Sequence, residues 1–155
     1  MSTIQGSFEK LISLAIQREE EAYSFYTESA ARAELKSSSK LLLELASQEK
    51  MHKEKLMTAL KGGVCDTFGC TAEDIKRLDL SQYLLEIPLM ANATPQEVLI
   101  VAMKREDASY NFYRVLSELT TQSSHRSVFE TLAKEERFHK ERLQKIYDDN
   151  IQQWM

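Results

Sequence analysis

The stretch QEKMHKEKL, residues 48–56, sets a placement problem. Read as a helix, its core-facing line runs Leu45, position 49, position 52, Leu56, and the two middle places hold Glu49 and His52. Burying an unpaired charge costs several kcal/mol or more. A helix that carries a carboxylate and an imidazole where leucine belongs must bring partners to them. Those partners have to come from elsewhere in the chain.

They recur at a fixed offset. Shifted by 87 residues, LASQEKMHKEKL (45–56) lies over LAKEERFHKERL (132–143), so Glu49 falls on Glu136 and His52 on His139. The same shift lays AIQREEEAYSFY (15–26) over AMKREDASYNFY (102–113), pairing Glu19 with Glu106 and Tyr26 with Tyr113. One unbroken offset across two helical segments marks a duplicated helix pair.

Four core lines step by three and four residues, the period of a helix packed in a bundle. The first is Phe8, Ile12, Ala15, Glu19, Ala22, Tyr26, and the second is Leu41 or Leu42, Leu45, Glu49, His52, Leu56. The third is Leu99, Ala102, Glu106, Ser109, Tyr113, Leu116, and the fourth is Phe129, Leu132, Glu136, His139, Leu143, Ile146. Few glycines and prolines interrupt them, and alanine, leucine, glutamate and lysine abound, which favours an all-α fold. Ser7 is the expected cap of the first helix, Ser37 to Ser39 the break before the second, and Gly62-Gly63 its end. Thr94-Pro95-Gln96-Glu97 combines a capping threonine, a proline at the first helical position and a capping-box glutamate. Thr120 to Ser124 separates the third helix from the fourth.

The chain thus divides into helix pairs at about 7–62 and 94–154, joined by a crossover at 63–93 with a short helix expected from about Ala72 to Glu86. Short loops within pairs and one long crossover between them define the ferritin-like form of a four-helix bundle, here as a single domain over residues 1–155. The net charge of −4 is spread over mixed signs, with no basic stripe for nucleic acid and no polybasic membrane patch. MSTIQGSFEK lacks the pattern of a signal peptide, and no apolar run approaches the roughly 18 residues of a membrane span. A cytoplasmic protein is expected. In a reducing cytosol Cys65 and Cys70 read as passive loop cysteines, with a redox or disulfide role as the alternative.

The acidic and basic residues on the four core lines are Glu19, Glu49, His52, Glu106, Glu136 and His139, all near mid-helix. A pseudo-twofold axis from the duplication brings them together. Glu and His three residues apart share a helical face, so each Glu-x-x-His presents both groups to one point. Four carboxylates in one dry place repel unless protonated or neutralised, and two divalent cations balance them, with the imidazoles completing the shells. A glutamate from each of two helices plus Glu-x-x-His from the other two is the ligand set of di-iron and di-manganese bundles. Oxygen and nitrogen donors suit iron or manganese; zinc can also occupy such a site.

On these residues the chain resembles the ferritin-like superfamily, and specifically the di-iron domain of rubrerythrins. Their E-x-x-A-x-x-x-Y pattern stands here as Glu19 to Tyr26, and its counterpart Glu106 to Tyr113 has Ser109 in place of the alanine. The resemblance implies two iron ions bridged by Glu49 and Glu136, with Glu19 and Glu106 terminal and one histidine on each metal. It also implies that Tyr26 and Tyr113 hydrogen-bond near the site; on their sequence alone they could equally fill the core. Two departures stand out. Rubrerythrins usually carry a rubredoxin domain, which is missing from this sequence, so a separate electron donor such as a rubredoxin is expected. They also carry a carboxylate at the position of Ser109, and without it a smaller preference for peroxide over dioxygen is expected.

The resemblance implies a peroxidase or oxidase that reduces peroxide or dioxygen, acting as a homodimer. The alternative is an iron-handling protein that uses the same site as a ferroxidase for storage; a third possibility is a bundle with purely structural metals. Tyr23, Phe25, Tyr110 and Phe112 are assigned to packing, His125 to the exterior, and the lysines and arginines at 50, 53, 55, 137, 140 and 142 to the surface.

Overall fold

The structure, a computed structural model, describes residues 4–61, 93–119 and 123–154. Among those residues every regular element is helical. Helix α1 spans Ile4–Ala30, a 3-10 segment spans Ala33–Ser38, α2 spans Ser39–Lys61, α3 spans Pro95–Leu119 and α4 spans Ser123–Trp154. The connection expected to hold a short helix at Ala72–Glu86, together with Cys65 and Cys70, lies outside the described residues.

The start of α3 follows its local chemistry. Thr94 Oγ1 accepts from the Glu97 N–H at 3.1 Å, and Glu97 Oε1 accepts from the Thr94 N–H at 3.2 Å. Two N–H groups that the helix cannot serve itself are thereby satisfied. Pro95, with no N–H to satisfy, occupies the first helical position.

Two boundaries differ from expectation. Helix α1 begins at Ile4, so Ser7 sits inside its first turn and not at the cap. A serine within a helix costs only about 0.5 kcal/mol, too little to hold the start at residue 8. The break between α1 and α2 ends at the serines, with α2 starting at Ser39, but it opens earlier: Arg32 is extended (φ −72°, ψ 135°), and Leu35 leaves helical geometry at φ −112°, ψ 15°. Leu35 is buried at this corner, and Arg32 Nη2 donates to the Ala93 carbonyl at 2.5 Å, tying the corner to the entry of α3.

Helix α1 packs along α2 and α3 along α4, and these are the closest backbone approaches. The two pairs meet through side chains. One end of the bundle is filled by Phe25, Leu35, Leu42, Leu45, Val98, Leu99, Leu143 and their neighbours. The other end buries Ile12, Leu56, Leu116, Phe129 and Leu132. Each such side chain contributes roughly 1.5–3 kcal/mol when fully buried. The ionisable layer lies between these two apolar ends.

Outer faces carry ion pairs that respect the repeat. Lys53 meets Glu20 at 2.8 Å, and their counterparts Lys140 and Asp107 meet at the same distance. Exposed pairs of this kind are each worth about 0–1 kcal/mol, so they decorate the fold and do not drive it. Tyr23, expected to pack, is instead 42 % exposed, because it follows the core position Ala22 by one residue and turns outward. Phe25 and Phe112 are buried as expected. No helix of the described residues is long and apolar enough to cross a membrane.

The Thr94 cap yields a simple test. Thr94→Ala is expected to cost about 1 kcal/mol, read as a fall in Tm of about 2–4 °C at constant metal content. An unchanged Tm would mean that the cap does not help hold α3.

Candidate metal centre

Each helix delivers part of one buried cluster. Helix α1 brings Glu19, α2 brings Glu49 and His52, α3 brings Glu106, and α4 brings Glu136 and His139; none is more than 3 % exposed. Side-chain donor atoms from Glu19, Glu49, His52 and Glu136 all lie within 4.8 Å of one another. So do those from Glu49, Glu106, Glu136 and His139. Glu49 and Glu136 belong to both quartets. The two imidazoles stack, with ring centroids 5.9 Å apart and planes inclined by 6°.

The histidine tautomers follow from their outer partners. His52 Nε2 lies 2.5 Å from Glu135 Oε2, and an ionised carboxylate can only accept, so Nε2 carries the proton. His139 Nε2 is likewise hydrogen-bonded to Gln48 Oε1. In both rings Nδ1 is left with a lone pair that faces inward. His52 Nδ1 is 2.8 Å from Glu136 Oε1 and 3.9 Å from Glu19 Oε1. His139 Nδ1 is 2.9 Å from Glu49 Oε1 and 3.6 Å from Glu106 Oε1.

Glu135 and Gln48 were not anticipated, since each stands one residue before a core-line glutamate and off the line itself. Their long side chains reach the histidine of the opposite pair. A signal was present: the 87-residue offset lays one on the other, both able to accept a hydrogen bond. Tyr26 and Tyr113 also cross between pairs. The Tyr26 hydroxyl donates to Glu106 Oε1 and the Tyr113 hydroxyl to Glu19 Oε1. Burial, and then the charges of Glu106 and Glu19, push both phenols well above their ordinary range, so they keep their protons and remain donors.

The remaining atoms test whether cations fit. Glu19 Oε2, Glu49 Oε1, Glu106 Oε2, Glu136 Oε1 and both Nδ1 atoms are buried without a hydrogen-bond partner. Carboxylate oxygens and imidazole lone pairs are all acceptors, and acceptors facing acceptors at such distances repel. A cation at the centre of each quartet turns that repulsion into attraction. The donor set fits two divalent ions, with Glu49 and Glu136 available to both.

Without metal the cluster must hold protons. Burial, followed by the charge of Glu49, raises Glu19 well above the usual carboxylate range. Burial and the Glu136 charge do the same to Glu49, and burial and the Glu106 charge to Glu136. Burial alone would depress His52, but its bond to Glu135 and the charges of Glu49 and Glu19 leave it raised. Groups that hold protons more tightly folded than unfolded stabilise the fold at low pH and lose that contribution as pH rises. The loss begins above 4.5 for the carboxylates and above 6.5 for His52. Glu135, lowered by its bond to His52, works in the opposite sense, below 4.5. Metal-free protein is therefore expected to lose stability between about pH 5 and 8, by about 1.4 kcal/mol per pH unit for each retained proton, while loaded protein stays nearly level. Parallel melting curves for the two forms across that range would show that the carboxylates do not share a dry core.

A family model described as rubrerythrin matches residues 10–147. Among solved structures, a ferritin-like diiron-carboxylate protein from Thermotoga maritima superposes with a TM-score of 0.65, covering 92 % of this chain and 95 % of that one at 22 % sequence identity. At that identity the likeness speaks for the fold, which is ferritin-like and all-helical. No curated protein sequence matches. With the family model covering most of the chain, including all six converging side chains, the protein belongs to the rubrerythrin family.

Proposed function

We propose that the protein is a carboxylate-bridged di-iron oxidoreductase that reduces peroxide or dioxygen with electrons from a separate donor. The observation that carries this reading is the pair of overlapping quartets, whose buried acceptor atoms lack hydrogen-bond partners and share Glu49 and Glu136. In this reading Glu49 and Glu136 would be shared by both metals, Glu19 with His52 would hold one, and Glu106 with His139 the other. The description of the Thermotoga maritima protein as a diiron-carboxylate protein supports iron over manganese or zinc. When bound, two ferrous ions offer two reducing equivalents side by side, which matches the two-electron demand of peroxide.

The chain's own residues shape that chemistry. The tyrosine bonds occupy Oε1 of Glu106 and Glu19, leaving Oε2 of each free to ligate. The same phenols are positioned to keep the terminal carboxylates from swinging away. The apolar layers at both ends exclude water, which strengthens every charge interaction between them. In this reading the electrons come from a separate donor, such as a rubredoxin.

Anaerobic ferrous titration is expected to saturate at two ions per chain, and saturation at one would defeat the reading. Glu49→Ala or Glu136→Ala should weaken both ions, whereas His52→Ala or His139→Ala should weaken mainly one. Stopped-flow mixing of the diferrous protein with peroxide or dioxygen should then show oxidation by each. Growth of a large ferric core with excess iron would favour iron storage instead.

Ser109 refines the choice of oxidant. It is half-buried, one turn beyond Glu106 on the same line. A serine hydroxyl is short and neutral, a poor ligand to a ferric ion beside the carboxylates already there. Both histidines are therefore expected to stay bound in both redox states, and peroxide to outpace dioxygen only modestly. Ser109→Glu should widen that gap. A wild type that already prefers peroxide strongly, with no change in the variant, would remove Ser109 from the argument.

A further inference from the structure

The duplication makes the two halves of the site nearly equivalent. Glu19 matches Glu106, Glu49 matches Glu136, His52 matches His139 and Tyr26 matches Tyr113. Among the described residues, the tyrosines hydrogen-bonded to these ligands match in type, and the partners of the two histidines do not. Where His52 donates to a carboxylate, Glu135, its counterpart His139 donates to a neutral amide, Gln48. Glu135 and Gln48 are themselves related by the 87-residue offset. They therefore occupy equivalent places with different charge.

We propose that the two metal positions are inequivalent and that the Glu135–His52 pair makes the one at His52 the tighter of the two. The proposal rests on the dinuclear reading above and adds to it a rank order of the sites. A carboxylate accepting from an imidazole N–H makes a stronger, charge-assisted bond than an amide does. It also pushes electron density through the ring toward Nδ1, the atom that faces the cluster, and raises its strength as a donor. The bond fixes the ring as well, so that Nδ1 stays aimed between Glu19 and Glu136. Changing an outer partner of a ligating histidine typically alters metal affinity by about 10–100-fold. The Glu135 side chain is 40 % exposed, so solvent screens part of its charge. The lower end of the range, about tenfold, is the expected preference.

Glu135 and Gln48 are positioning residues, since neither touches a metal position itself. Their effect is separable from activity because each histidine reports on its own site. Protein labelled with nitrogen-15 in its histidines is titrated with zinc(II), and coordination is followed through the Nδ1 shifts in two-bond proton–nitrogen spectra. Signals are assigned with His52→Gln and His139→Gln variants. In the wild type the His52 signals should move within the first equivalent, and those of His139 mainly within the second.

The exchange variant Gln48→Glu/Glu135→Gln keeps the composition and shape of the site and should reverse that order. Glu135→Gln alone, a near-isosteric change at a half-exposed position, should bring the two signals together. Simultaneous movement in the wild type, His139 moving first, or an unchanged order in the exchange variant would overturn the proposal while leaving two zinc ions per chain. Uptake of one zinc or none would instead overturn the dinuclear reading, and the rank order with it.

Discussion

Four carboxylates share one water-poor compartment between apolar layers, and their mutual repulsion is the condition that the rest of the molecule answers to. At the low effective dielectric of a core, like charges a few ångströms apart cannot all remain ionised without compensation. Protons or cations must supply it, and each detail of the cluster favours cations. The phenols take one oxygen each of Glu106 and Glu19 and leave the other bare. The outer acceptors hold the imidazole protons on Nε2, so that Nδ1 offers a lone pair inward. A proton-filled cluster could satisfy some of these atoms but would leave the shared geometry of Glu49 and Glu136 without a purpose.

That compartment also explains the packing around it. The ends of the bundle bury leucine, phenylalanine and isoleucine, while the middle layer contributes charged groups that would destabilise the fold on their own. The backbones approach closely within each helix pair and less closely between pairs. The width between pairs is taken up by the long glutamate, histidine and tyrosine side chains. Stability and site are therefore two uses of the same layer, and the apolar ends must carry the fold whenever the metals are absent.

Most of this was legible because the core lines repeat with the period of a helix and the offset of 87 aligns them. Polar residues on an apolar line are conspicuous, and finding Glu49 with His52 twice removes chance as an explanation. Gln48 and Glu135 were hidden because periodicity marks where a Cα points, and a long side chain can reach a group that its own position does not face. The early opening of the break after α1 was hidden for a different reason. It is set by the burial of Leu35 and by the Arg32 bond to Ala93, a tertiary contact that a local run of serines does not reveal. Tyr23 shows the opposite error: an aromatic residue beside a core line was read as packing although its position turns it outward.

The cross-links of the site have a geometry of their own. Tyr26 of the first pair bonds to Glu106 of the second, and Tyr113 of the second to Glu19 of the first. His52 reaches Glu135, and His139 reaches Gln48, by the same reciprocal rule. Residue i touching j while the copy of i touches the copy of j is the defining pattern of an isologous contact between two identical subunits. The centre is thus a twofold dimer interface held inside one polypeptide. Covalent linkage frees such an interface from the obligation that both sides be the same. In a true homodimer a glutamate at position 48 would arrive together with one at its mate, and Ser109 would stand on both sides. In the fused chain each half can change alone, and a site built on symmetry acquires a left and a right.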